Sequence, residues 1–136
     1  ALDRIVDKGS DGYVTMAKMK KASILIEQGK LAEGLKIYKD LEKNAVDQSF
    51  RDIATILFVL NSLNNEPKDD LLKKITPLEN SEIWKSSALE LKGYIYLRNN
   101  EIDKAIETFE TISKLPSKPG DLSQRAKNLI NLLKEK

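Results

Sequence analysis

The chain has 136 residues, enough for one domain with a modest core, and it contains neither cysteine nor histidine. The absence of these two residue types excludes disulfides, thiolate zinc sites, cysteine nucleophiles and the commonest general base. Its 23 basic and 21 acidic residues are intermixed and give a net charge of +2, which excludes the dense basic surface of a nucleic-acid-binding protein.

The first predicted element is a helical hairpin over about residues 13–45. Apolar and small residues recur every three or four positions from Met16 to Ile26, which predicts an amphipathic helix. Gly29 ends it, and the same spacing resumes at Leu31 and continues to Leu41. Because the connection is very short, the two helices should run antiparallel.

A second, less regular hairpin is predicted over about residues 48–78. Ser49 is the candidate cap of its first helix, which is apolar on most sides and is expected to be the central, most buried element. Pro67 suits the first position of a short helix that runs to Ile75, and Pro77 should end that helix.

The third predicted hairpin covers about residues 81–115. Ser81 is a candidate cap for its first helix, and Asn100 with Asp103 resembles a capping arrangement at the start of the second. After a loop at 116–120, residues 121–135 form a last amphipathic helix that should cap the stack. The sequence therefore predicts seven helices and no strand.

Sliding the chain against itself by 71 residues places small residues on small ones and large residues on large ones. The matched pairs are Ala22 with Gly93, Leu25 with Tyr96, Leu31 with Ile102, Gly34 with Ala105, Tyr38 with Phe109, and Leu41 with Ile112. Helix axes approach closely only where side chains are small, so this order of sizes indicates repeated hairpins. The shift is about twice the roughly 34-residue tetratricopeptide period, which leaves room for one degenerate unit between the two clear ones.

The small and aromatic positions resemble the signature of tetratricopeptide repeats: Gly93, Tyr96, Ala105 and Phe109 in the last unit, and Leu25, Gly29, Gly34 and Tyr38 in the first. Leu89, Lys92 and Asn100 depart from the residues that the family often has there, which are Trp, Leu and Gly, and the closing Pro is displaced to Pro116. The resemblance implies an all-α, tetratricopeptide-like helical-hairpin solenoid, with residues 1–136 as a single domain closed by a C-terminal capping helix.

More narrowly, Asp11-Gly12-Tyr13, Pro77-Leu78 and Trp84 resemble the soluble domain of the ancillary SecYEG translocon subunit (YfgM-like) family. That resemblance implies a non-enzymatic, chaperone-like protein of the bacterial inner membrane. This domain would face the periplasm and bind the Sec translocon and exported polypeptides. No stretch of the chain approaches a membrane span, so contact with the membrane is expected only through an N-terminal anchor that would precede Ala1.

The family resemblance also places the partner-facing surface on the first helix of each hairpin. It would consist of Met16, Met19, Lys20, Ser23, Glu90, Tyr94, Leu97 and Arg98. Tyr94 and Arg98 are one turn apart and are expected to hold a peptide without being needed for the core. Simpler interpretations are that the two Met residues fill the core and that Tyr94 covers the hairpin seam. Lys18, Lys20 and Lys21 could contact an acidic peptide or a lipid head group, or could simply form a solvated face.

Two other functions are compatible with the sequence. The first is a cytoplasmic adaptor or self-association module; the sequence leaves the oligomeric state open. The second is a small hydrolase that uses carboxylates such as Asp69-Asp70 or Glu107 with Glu110, but such pairs are commonplace on exposed helices. We therefore expect no enzyme, no metal and no cofactor.

Overall fold

The computed structural model describes residues 11–116 and 130–134, which form helices joined by short turns, with no β-strand among them. The elements are α1 (Asp11–Glu27), α2 (Leu31–Asn44), α3 (Gln48–Ser62), α4 (Lys68–Ile75), a 3-10 helix (Thr76–Asn80), α5 (Lys85–Arg98) and α6 (Ile102–Ser113). Residues 130–134 are also α-helical, whereas most of the predicted capping helix and of the loop before it lies outside the described residues. The all-α, helical-hairpin prediction is confirmed.

The chain forms two compact units that divide between Asn61 and Ser62. In the first unit, α1 and α2 pack along each other as a hairpin. Leu41 and Ala45, at the end of α2, form a buried cluster with Ala54 of α3. The Arg51 guanidinium also donates a hydrogen bond to the carbonyl oxygen of Ala45 at 2.8 Å, which ties α3 to the end of α2.

In the second unit α5 is the central element, since it packs against α4, the 3-10 helix and α6. Its core is a cluster of Leu89, Ala105, Phe109, Ile112 and Ile130. The prediction that α3 is the most buried helix is wrong: Leu60 of α3 is 47% exposed, whereas α5 is enclosed on several sides. An apolar run alone does not reveal how many neighbours a helix has.

The turns of the two clear hairpins have the same backbone geometry. Gly29 has a φ of 83° and Asn100, 71 positions later, has a φ of 60°. In each turn the next residue donates a backbone hydrogen bond back to the preceding helix, from Lys30 to Leu25 at 2.8 Å and from Glu101 to Tyr96 at 2.9 Å. These equivalent bonds confirm the internal repeat.

The same geometry corrects the role predicted for Asn100. Glu101 is the residue that precedes α6, and no side chain caps that helix. Asn100 instead occupies the left-handed region, where Gly is preferred and Asn is one of the few tolerated alternatives. Asn100 therefore replaces the Gly of the repeat as a turn residue rather than as a cap.

Small residues lie where the hairpin helices cross. A Cβ added to Gly34 would lie 2.8 Å from the carbonyl oxygen of Ala22, and one added to Gly93 would lie 2.5 Å from Cζ of Phe109. Both distances are shorter than van der Waals contact, so these two positions require glycine. The size matching seen in the sequence therefore reflects close helix packing.

Four boundary predictions need adjustment. Asp47 caps α3, because its Oδ1 accepts a hydrogen bond from the backbone N–H of Phe50 at 2.9 Å, so Ser49 lies inside the helix rather than before it. Pro67 is extended and precedes α4 instead of opening it. The chain continues past Ile75 as a 3-10 helix that contains Pro77. Ser81 does not cap α5 either: its Oγ accepts from the backbone N–H of Trp84 at 3.2 Å, but this bond closes a turn before the helix, which begins at Lys85 without a side-chain cap.

Candidate functional site

The predicted partner-facing residues of α1 divide between its surface and its core. Met16, Lys20 and Ser23 are exposed, and helical spacing puts them on one face of α1. Met19 instead packs against the buried cluster that contains Leu41, so it is core filling. Met16 is 58% exposed, which a purely amphipathic helix would not predict.

The predicted residues of α5 are less accessible. Glu90, Tyr94 and Leu97 are half-buried, and only Arg98 is exposed. The Tyr94 ring meets the buried Phe109 ring edge-on, with centroids 5.9 Å apart and an interplanar angle of 63°. The expectation that Tyr94 is not needed for the hairpin core is therefore wrong, because its ring packs against that core.

Leu97 and Arg98 line a polar groove of about 440 Å³ within the second unit. The rest of its lining comes from the α3–α4 loop and the α5–α6 turn: Leu63, Asn64, Glu66, Asn99 and Asn100. Asn99 is held in place because its Nδ2 donates to the carbonyl oxygen of Ile95 at 2.8 Å. Arg98 makes no ion pair with any residue that the structure describes. Its guanidinium is therefore available to an acceptor in the groove.

Sequence reasoning missed the loop side of this groove. Asn64 and Glu66 were not among the predicted binding residues, although loops often carry such residues. The asparagine-rich run from Asn61 to Asn65 was the available signal, but its spatial neighbour could not be read from the chain. The groove is lined by two sets of residues that are more than 30 positions apart in the sequence.

A second groove, of about 320 Å³, lies between α5, α6 and the 3-10 helix. Leu89 and Tyr96 form part of its lining, and Lys92 pairs with Glu79 at 3.3 Å. This pair explains the departure from the family pattern at position 92. A half-buried Lys is tolerated there because the 3-10 helix supplies a carboxylate.

The Glu101 carboxylate takes part in two ion pairs. Its Oε2 accepts from Lys68 at 3.1 Å and its Oε1 from Lys104 at 3.2 Å, while the Lys104 ammonium also lies 5.8 Å from the centroid of the Tyr96 ring. The hydrogen bond from Lys68, and then the one from Lys104, lowers the pKa of Glu101. The same bond with Glu101 raises the pKa of Lys68. This network joins the start of α4 to the start of α6.

Two searches of the described residues bear on other kinds of site. Residues 11–116 and 130–134 contain no group of three or more carboxylates that could hold a metal ion together. None of the helices described is long and apolar enough to cross a membrane. Asp69 and Asp70, the carboxylate pair noted in the sequence, are exposed in the first turn of α4.

Comparison with known families matches residues 1–127 to the tetratricopeptide repeat-like domain. The matched range contains both of the clear hairpins, α1 with α2 and α5 with α6. Comparison with curated proteins and with solved structures gives no significant match. The family match agrees with the repeated turn geometry and with the small residues at the helix crossings. The chain therefore belongs to the tetratricopeptide repeat-like domain family.

Proposed function

We propose that this chain is a protein-interaction domain that binds extended polypeptide segments in the groove at Arg98. Domains of the tetratricopeptide type generally bind proteins or peptides, and family membership supports the same class of function here. The observation that carries the proposal is the exposed guanidinium of Arg98, which pairs with no acid among residues 11–116 and 130–134, in a groove lined by the carboxamides of Asn64, Asn99 and Asn100.

The chemistry of this groove suits a peptide in extended conformation. Carboxamide side chains offer both donors and acceptors to a peptide backbone, and a guanidinium can hold a carboxylate through two parallel hydrogen bonds. Leu97 supplies an apolar contact beside them. We therefore expect a preference for segments in which an acidic residue lies near an apolar one.

The groove can be tested with a permanently unfolded secretory protein, reduced and carboxymethylated, as the probe. Arg98→Ala should weaken its binding by about 1 to 3 kcal/mol, as expected for loss of an interface anchor. Lys85→Ala is the matched control, since Lys85 is an exposed cation on the same helix. Tyr94→Phe keeps the ring that packs on Phe109 and tests the hydroxyl alone. Equal weakening by Lys85→Ala would indicate a general charge effect and contradict the proposal.

We further propose that the domain belongs to an envelope protein that is anchored in the bacterial inner membrane and assists polypeptides at the Sec translocon. The resemblance carried by Asp11-Gly12-Tyr13, Pro77-Leu78 and Trp84 supports this assignment. Affinity capture with the complete gene product should recover translocon subunits, and protease added to spheroplasts should digest this domain. Protection from protease in intact spheroplasts would instead favour the cytoplasmic adaptor.

A further inference from the structure

One face of α1 exposes apolar residues to solvent. Tyr13 is 68% exposed, and Met16 and Ile24 are exposed on the same side of the helix. This side is opposite Ala22, which is fully buried, so packing between α1 and the rest of the first unit leaves the face uncovered. An exposed apolar face of this kind is typical of an interaction surface.

Two lysines accompany these apolar side chains. Lys20 lies on the same face and Lys21 is exposed at its edge, whereas helical spacing puts the exposed Lys18 on the other side of α1, towards Ala22. None of the three makes an ion pair with a residue that the structure describes. Glu27 lies at the C-terminal end of the face, two turns from Lys20, and is the one acid exposed on the described part of α1. Between Tyr13 and Ile24 the face therefore carries two lysines and no acidic residue.

We propose that this face of α1 binds the surface of an anionic lipid bilayer. Tyrosine is enriched at the level of the lipid head groups, and lysine can extend its ammonium to head-group phosphates while its methylene chain lies along apolar surface. Lysine is depleted in the cores of protein interfaces, so a face with Lys20 among Tyr13, Met16 and Ile24 suits a lipid surface better than a protein partner. The inference is independent of the groove at Arg98, which lies in the other unit.

The expected contact is peripheral, with Tyr13, Met16 and Ile24 reaching the head-group region and the lysines neutralising anionic lipid. Juxtamembrane lysines contribute additively to such binding, so replacing Lys20 and Lys21 by Gln should reduce partitioning about 10- to 30-fold. Binding should also weaken as salt is raised, because the surface potential is screened.

Flotation of the full chain with vesicles tests this proposal. Vesicles of equal parts phosphatidylglycerol and phosphatidylcholine should bind the chain, and vesicles of phosphatidylcholine alone should not. The matched control is the double change of Lys39 and Lys43 to Gln, which removes the same charge from exposed positions on α2. Tyr13→Ser with Met16→Ser should reduce binding with the lysines intact, and circular dichroism should show unchanged helicity for every variant.

Several results would overturn the proposal. Absence of binding to the anionic vesicles would do so directly. Equal loss of vesicle binding in the α2 control would do so as well, because net charge rather than the α1 face would then be responsible. Sedimentation that shows a dimer lost on Met16→Ser, with no vesicle binding, would assign the face to a second copy of the chain instead. Peptide capture through Arg98 should persist in the α1 variants, which separates failure of this inference from failure of the groove.

Discussion

At the scale of single residues, glycine is required where two helices or a helix and a ring approach most closely. Gly93 lies against the fully buried ring of Phe109, which is enclosed on all sides and cannot move aside. Gly12 differs, because a Cβ added there would lie 3.6 Å from the Phe50 ring, an ordinary contact distance. The two glycines therefore make a matched pair for substitution.

We expect Gly93→Ala to lower the free energy of unfolding by about 1 to 3 kcal/mol, because the new methyl group overpacks the core at Phe109. Gly12→Ala should leave stability unchanged or raise it by up to about 1 kcal/mol, since Ala favours a helix over Gly. Urea denaturation of both variants measures the difference. A Gly93→Ala variant as stable as the parent would show that the close approach at Phe109 is not the constraint described.

Residue sizes were predictable from the sequence, whereas some residue roles were not. The 71-residue shift correctly paired Gly34 with Ala105, because helix crossings require small residues wherever they occur. The capping roles of Ser49 and Asn100 were predicted wrongly. Whether a residue caps a helix depends on its backbone angles, and where several polar residues follow one another the sequence does not show which of them is the cap. Tyr94 was misjudged because half-burial against Phe109 depends on the rotation of α5.

At the scale of elements, the Glu101 network connects the first residue of α4 with the turn before α6. Both oxygens of the carboxylate are occupied, one by Lys68 and one by Lys104, and the side chain of Glu101 is only 24% exposed. Because Lys68 and Glu101 are 33 positions apart, their contact holds two otherwise separate elements together. An ion pair between exposed residues of a single helix contributes less to stability.

The network predicts a specific pH dependence of stability. The pKa of Glu101 is lowered in the folded protein, so its contribution is present above the pKa of the unfolded chain and is lost as pH falls through the folded pKa. The pKa of Lys68 is raised, so its contribution is lost as pH rises through the folded value. Glu101→Gln should therefore melt at a lower temperature near neutrality and lose less stability on acidification.

Melting temperatures from neutral pH down to about pH 3 test this, across the usual range of glutamate ionisation. Glu107→Gln is the control, since Glu107 is an exposed carboxylate of α6 that makes no ion pair among the residues described. Parallel acid profiles for the parent and Glu101→Gln would show that the network does not stabilise the fold.

The existence and order of the described helices followed from the three- and four-residue spacing, because each helix has a side that must be buried, whereas several helix ends did not. The prediction of a helix over Lys68–Ile75 is confirmed, and so are the turns at Gly29 and after Arg98. The 3-10 helix was not predicted, since five residues that contain a proline give no periodic signal. The loop side of the polar groove also escaped prediction, because the α3–α4 loop has no periodic pattern that would place it beside the end of α5.

At the scale of the whole molecule, residues 1–136 were predicted to form a single domain, and the structure divides into two compact units. Family membership over residues 1–127 spans both units. In repeat proteins neighbouring units usually stabilise each other, so the single-domain proposal has a thermodynamic consequence.

If the chain is one domain, its two units should unfold together. Trp84 is the only tryptophan of the chain and lies in the second unit, so its fluorescence reports on that unit, while circular dichroism reports on all helices. We expect coincident denaturation curves from the two measurements. Gly34→Ala, in the first unit, should then shift the Trp84 transition as well. Two separated transitions would show that the units are thermodynamically distinct domains.

Because Lys92 pairs with Glu79, we expect the residues at positions 92 and 79 to change together among related sequences. The Glu79 carboxylate belongs to the 3-10 helix that follows α4. A basic side chain at position 92 therefore has this partner only where α4 ends at about Ile75 and a 3-10 helix follows it. A relative in which α4 continues as a regular helix should have an apolar residue at position 92 and no acid at position 79. The residues at positions 79 and 92 and the length of α4 should therefore vary together among related sequences.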